Sequence, residues 1–267
     1  MIKFLCLGSG SSGNCYYLKT EQCSILIDAG IPVRTIKKNL WNYGFSLENI
    51  DGVFITHDHA DHIKSVGAIA NDLGKLIYAT EKVHIGINNN YCTTSKVTEP
   101  SRRYVYKGET TQIGDLRITP FEVPHDSSDC VGYRIEHQGL TFCLATDVGE
   151  VTPAVAEAIG IANYLVLEAN HDEEMLQNGP YPNYLKGRIR SNRGHLSNRQ
   201  CGDALVNYAS PGLHNVWLCH LSEENNHPEL ARKTVEAMLR NYGIIAGKDF
   251  GLEVLNRQTP TGVFDLE

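Results

Sequence analysis

Short apolar runs separated by polar breaks recur along the whole chain, and the spacing of the apolar positions switches between a strand period and a helix period. Runs at 2–7, 15–19, 23–28, 52–55, 76–79, 115–123, 131–137, 140–145, 163–168, 214–219 and 252–256 predict strands. Many are continuous rather than alternating, the pattern of strands covered on both faces. Helical spacing marks 32–43, 63–73, 81–88, 151–159, 197–209 and 229–241. The first of these places Pro32 in its opening turn, apolar Val33, Ile36 and Leu40 on one side, and Gly44 as its stop. Both halves of the chain lead from strands into strand–helix units, which predicts a single α/β domain over 1–267 with sheets inside and helices outside.

One early segment tests this pattern. LGSGSSGN, residues 7–14, contains G-x-G-x-x-G at Gly8, Gly10 and Gly13, behind a predicted strand. A dinucleotide-binding turn requires a helix directly after the last glycine, because the helix N-terminus holds the pyrophosphate. The chain continues instead as NCYYLKTEQCSILIDAG, two strand-like runs with a polar break. This predicts a glycine-rich turn between strands, offering backbone N–H groups and the hydroxyls of Ser9, Ser11 and Ser12 to an anion.

Composition narrows the class. With 267 residues of which 42% are apolar, the chain is long enough for one large core. No apolar run approaches the roughly 18 residues of a membrane-spanning helix, and the first residues read as a strand rather than a leader, so a soluble cytoplasmic protein is expected. The eight cysteines contain no C-x-x-C pair and are expected free and mostly buried. The net charge of −7 excludes a generally basic surface. Between Met175 and Gly202, however, there is no acid, while Lys186, Arg188, Arg190, Arg193 and Arg199 contribute +5, leaving −12 for the rest. Such a local basic window suits an anionic substrate held at one place.

The densest chemistry is VFITHDHADH, 53–62, where a strand ends in His57, His59, Asp61 and His62 and a helix follows. His57 and His59, two apart in extended chain, project to the same side. Asp61 and His62 open the helix, where a carboxylate is favoured and both side chains can turn back to the strand end. Imidazole and carboxylate at this density indicate a metal site. Three further candidates also follow apolar runs: His125, Asp147 and His220. His84, His137, His214 and His227 lack that placement and are expected at the surface or in turns.

THDHADH, then PHD at His125 with VGYRI after it, then TD at Asp147, then His220, resembles the metal-ligand series of the metallo-β-lactamase superfamily. IDAG around Asp28 resembles its first motif, in which the aspartate supports the ligands from behind. The resemblance implies an αββα sandwich of two mixed sheets with helices on the outer faces. It implies His57, His59 and His125 on one divalent ion, Asp61, His62 and His220 on a second, Asp147 bridging, and a hydroxide between the ions as nucleophile. Zinc is the first expectation, with manganese and iron as alternatives. SGSSGN, HDEEMLQNGPYPNYLKGRIRSNRGHLSN and CHLSEENN further resemble the YycJ/WalJ branch, bacterial cytosolic proteins assigned as 5′ to 3′ double-strand DNA exonucleases. The Gly194–Ser197 block is similar to the histidine segment of ribonuclease Z that assists at the scissile phosphate.

A two-ion site beside a basic window suits phosphodiester hydrolysis on nucleic acid, DNA first. Asp61 and His195 are the expected catalytic residues, and Ser11, Asn14, Arg188, Arg190 and Arg193 the expected substrate contacts. Three alternatives stay open. They are ribonuclease Z-like RNA processing, hydrolysis of a small thioester, lactone or cyclic phosphodiester in a narrow pocket, and a non-catalytic regulatory role. A complete set of seven ligands argues against the last.

Overall fold

The apolar runs assemble into two seven-stranded sheets, seen in a computed structural model that describes residues 1–267. The first sheet holds β1 (Ile2–Gly8), β2 (Cys15–Lys19), β3 (Ser24–Ile27), β4 (Gly52–Phe54), β5 (Ile77–Ala79) and β6 (Arg102–Tyr104). The second runs through β7 (Thr111–Ile113), β8 (Leu116–Glu122), β9 (Val131–His137), β10 (Leu140–Ala145), β11 (Tyr164–Glu168), β12 (Asn215–Cys219) and β13 (Gly251–Val254). The last strand, β14 (Thr261–Leu266), returns to pair with β1, so the spatial orders are 14-1-2-3-4-5-6 and 13-12-11-10-9-8-7. Each sheet is mixed. β3 to β6 and β10 to β13 are parallel, while β14, β1 and β2 and, in the second sheet, β7 to β9 are antiparallel.

Nine helices connect the strands: α1 (Val33–Asn42), α2 (Ala60–Ile63), α3 (Val66–Asp72), α4 (Glu81–Asn89), α5 (Pro153–Ile161), α6 (Glu173–Asn178), α7 (Asn183–Ile189), α8 (Asn198–Tyr208) and α9 (Pro228–Asn241). Strand alternation splits the core into three layers. Phe4, Cys6, Ile25 and Phe54 meet Ile118, Tyr133, Phe142 and Trp217 between the sheets. Leu5, Leu7, Leu26 and Val53 face outward, covered by Ile36 and Leu40 of α1, Ile69 of α3 and Val83 of α4. Leu165, Leu167, Val216 and Leu218 are covered by Val155, Leu205 and Val235 of α5, α8 and α9. This is the αββα sandwich expected from the resemblance.

The sequence pattern missed β6, β7 and β14. The first two are short and partly exposed and carry no apolar run, and the third is only half-buried. The helix predicted at 63–73 is two helices, α2 and α3. Their break falls at Ser65, whose N–H donates to Ala29 O and whose hydroxyl donates to Ile31 O, tying the ligand segment to the end of β3. His84 and His137 are buried rather than superficial. His84 Nε2 lies 3.0 Å from Arg103 O and His137 Nε2 lies 3.0 Å from Asp115 Oδ2, partners that no local pattern announces. His214 and His227 are exposed, His227 capping α9. All eight cysteines are free and seven are buried.

Candidate metal centre

Parallel strands place their carboxyl ends together, where open α/β sheets hold ligands. Here the ends of β3, β4, β10, β11 and β12 converge, carrying Asp28, the His57–His62 segment, Asp147, Glu168 and His220. Asp28, Asp147 and His220 sit at φ 59°, 57° and 54°, a left-handed conformation that costs a non-glycine residue roughly 1–2 kcal/mol. The fold holds three such residues at three strand ends, each turning a side chain back into one cleft. Gly30 makes the close approach of the ligand segment possible: a Cβ there would lie 1.7 Å from Asp61 O.

The side chains form two groups around a shared carboxylate. One nitrogen each of His57, His59 and His125 lie within 4.8 Å of one another, as do ligand atoms of Asp61, His62 and His220. Asp147 completes a third such grouping with His57 and His62, and a fourth with Glu168, His195 and His220. It stands 3.2 Å from His62 Nε2 and 3.6 Å from His125 Nε2, between the two sets. Rigid strand ends therefore bring all seven predicted ligands into one cleft.

The outer hydrogen bonds fix which ring nitrogen is free. His125 Nδ1 is 3.0 Å from the Gly194 carbonyl, an acceptor only, so Nδ1 carries the proton and Nε2 presents its lone pair inward. His62 Nδ1 is held in the same way by Asp28 Oδ2 at 2.7 Å, and Asp28 is itself fixed by the Thr56 N–H and hydroxyl. His57 Nε2 is fully buried with no partner at all. A buried, unsatisfied imidazole nitrogen beside two others is a site that a cation satisfies. The residues present fit two divalent ions.

Electrostatics agree. Burial, with His62 and other imidazoles nearby, holds His57 well below the usual histidine range, so it stays neutral. At His62 burial works against the charged form, yet Asp147, Asp28 and Asp61 outweigh it and raise the imidazole well above its usual range. His220 is likewise pushed up to about 10, burial being overcome by Asp147, Asp61 and Glu168. These two protons occupy the place of the cation's charge. Metal loading near neutral pH should therefore release protons, and uptake should weaken as the pH falls. Calorimetric titrations in buffers of different ionisation enthalpy check this; identical apparent heats in all buffers would contradict it.

Glu168 is the residue that sequence reasoning missed. It ends β11 as Asp147 follows β10, and it is fully buried. Its Oε1 accepts from His195 Nδ1 at 2.9 Å and from His220 Nδ1 at 2.8 Å. Its Oε2 accepts from the N–H groups of Val148 and Leu196 at 2.8 and 3.0 Å. Burial alone would raise this carboxyl, but the paired imidazoles hold it down at about 2. With both oxygens occupied, it is a clamp on two histidines rather than a ligand. Ser197 fixes the segment after His195 as the N-cap of α8, in a capping box with Gln200.

The expected substrate contacts divide. Ser11 is exposed on the glycine-rich turn. Asn14 is fully buried and faces the ligands instead: its amide nitrogen is 3.3 Å from Asp61 Oδ2 and 3.0 Å from His62 Nε2. Ser9 is buried too, its hydroxyl accepting from the His220 N–H at 2.9 Å, so this turn braces the centre from below. Arg193 donates twice to the His125 carbonyl and Arg190 donates to Gln177 Oε1, which draws both guanidiniums into the protein's own bonds. Arg188 reaches Asp126 beside the ligands.

The model of the Beta-lactamase superfamily domain matches residues 24–220, and the chain belongs to that family. Among its relatives, exodeoxyribonuclease WalJ of Streptococcus pneumoniae is 35% identical, over 99% of this chain and 98% of its own length. Exodeoxyribonuclease YycJ of Bacillus anthracis is 30% identical over 98% of both chains. Among solved structures, the metallo-beta-lactamase fold protein YhfI of Bacillus subtilis superposes with a TM-score of 0.72 at 16% identity, covering 98% of this chain and all of its own.

Support from Asp28 gives a direct prediction. Asp28→Asn keeps the shape but loses the charge that holds His62 Nδ1–H, and outer partners of this kind are typically worth about 10- to 100-fold in metal affinity. Competition with a chromophoric chelator should show that loss. Unchanged affinity would make Asp28 merely structural.

Proposed function

We propose that this protein is a two-metal exodeoxyribonuclease that degrades duplex DNA from the 5′ end in the cytoplasm, with His57, His59 and His125 on one ion, Asp61, His62 and His220 on the other, and Asp147 between them. The observation that carries the reading is the pair of ligand groups sharing one carboxylate, on a chain 35% identical over nearly its whole length to an exodeoxyribonuclease. When bound, two divalent cations lower the pKa of water and neutralise charge on the attacking and leaving oxygens of a phosphodiester. Zinc suits the His-rich donor set, and manganese or iron would be accepted by the same atoms. No helix is long and apolar enough to cross a membrane, and eight free cysteines suit a reducing compartment.

The chain's own residues supply the rest. His195 lies beside both ligand groups, its ring centroid 5.0 Å from that of His125 and 5.3 Å from that of His220. Glu168 takes its Nδ1–H, which leaves Nε2 as the atom that can give a proton to the departing oxygen. Arg188 offers charge to a non-bridging oxygen. Metal-loaded protein should shorten end-labelled duplex DNA faster than single-stranded DNA or RNA of the same sequence. Faster hydrolysis of RNA, or of a thioester or cyclic diester, would replace this reading with one of those activities.

A further inference from the structure

Resting on the nuclease reading, we infer that α7 is the seat of the nucleotide next to the scissile phosphate, with Arg188 on its phosphate and Tyr184 stacked on its base. Arg188 is clamped: its Nε and Nη2 donate to the two oxygens of Asp126, the second at 3.1 Å. Asp126 in turn lies 3.4 Å from His125 Nε2 and 3.8 Å from His59 Nε2. The guanidinium is thereby parked at the edge of the metal centre, and its Nη1 has no protein partner. A fork held on one side by a carboxylate, with its free nitrogen at the rim, is oriented for a phosphate oxygen. Asp126 is thus a positioning residue for Arg188.

Tyr184 stands four residues before Arg188, one turn along the same face of α7, at a spacing of about 6 Å. Its side chain is 80% exposed and touches little of the protein. Between them Gly187 presents no side chain, and a Cβ placed there would meet nothing within 4 Å. The face therefore carries an aromatic ring and, one turn on, a cation held beside the metal-ligand histidines, with bare backbone alongside. Base and phosphate of one nucleotide are spaced on the same scale as one helical turn, so a ring at Tyr184 meets the base while Arg188 meets the phosphate. The surrounding Met175–Gly202 window, which has five cations and no acid, complements a polyanion and gives a basic partner no purchase. Stacking on aromatic rings is tolerant of base identity, which suits an enzyme that must pass along any sequence.

The test uses a duplex with nuclease-resistant phosphorothioate linkages and 2-aminopurine at the first and second positions from one 5′ end, titrated with metal-loaded protein. Wild type should change the 2-aminopurine fluorescence on binding, and Tyr184→Phe should retain the change. Tyr184→Ala should lose it and bind roughly 5- to 100-fold more weakly. Asp126→Asn should weaken binding without removing the fluorescence change at saturation. If wild type binds and Tyr184→Ala gives the same signal and midpoint, the stacking assignment is overturned and the nuclease reading stands. If wild type does not bind the duplex, both are overturned.

Discussion

Asp61→Ala should abolish hydrolysis while leaving the fold intact. The side chain reaches into the cleft and is 24% exposed, with its Oδ2 3.4 Å from both His62 Nε2 and His220 Nε2. The backbone around it is held independently, since the Asn14 N–H donates to Asp61 O at 2.8 Å and α2 continues beyond. Alanine therefore removes a charge that His62 and His220 face, but fills no core position and opens no cavity. Losing one ion's carboxylate from a preorganised centre forfeits several kcal/mol of transition-state stabilisation, which is about a thousand-fold or more in rate. Circular dichroism and melting temperature near wild type, with activity down by that factor, are the expected pair of results. Activity within a few-fold of wild type would remove Asp61 from the ligand set.

The second large effect belongs to His195. His195→Ala should slow DNA cleavage by about 10² to 10⁴, the usual contribution of a positioned general acid, with metal content unchanged. Its Nδ1 is committed to Glu168, and it is only 17% exposed; the four-residue cluster it forms with Asp147, Glu168 and His220 is held together by that Glu168 bond. Two other outcomes are distinguishable. Loss of metal would make His195 a ligand or a support, and unchanged cleavage would make it a bystander. Glu168→Gln provides the cross-check, because it keeps the shape but weakens the hold on both His195 and His220. It should lower turnover and metal affinity together, unlike His195→Ala.

The cleft was legible in sequence because its ligands sit at the ends of buried strands. An apolar run has to stop at the sheet's edge, and a His or Asp directly after it marks where a side chain can turn into the cleft. His57, His125, Asp147 and His220 all show this signal, and the structure brings them together. Glu168 shows it as well, after the apolar run of β11, but its role depends on His195 and His220, 27 and 52 residues further on, which no local pattern links. Long-range pairing also decided what local pattern could not show. Asn14 has the residue type of a substrate contact, and only the approach of Asp61 across the sheet buries it. The basic window is visible as charge, whereas the bonds of Arg193 to His125 O and Arg190 to Gln177 depend on the folded chain. The edge strands β6 and β7 escaped because half-exposed edges need no apolar run.

Whether two cooperating ions act at a DNA 5′ end is read by following a 3′-end-labelled duplex as metal is added stepwise to the metal-free protein. A ladder of fragments shortening progressively from the 5′ end is expected, at a rate that stays low up to one equivalent and saturates at two per chain. Full activity at a single equivalent, or internal cuts that leave the 5′ end in place, would contradict it.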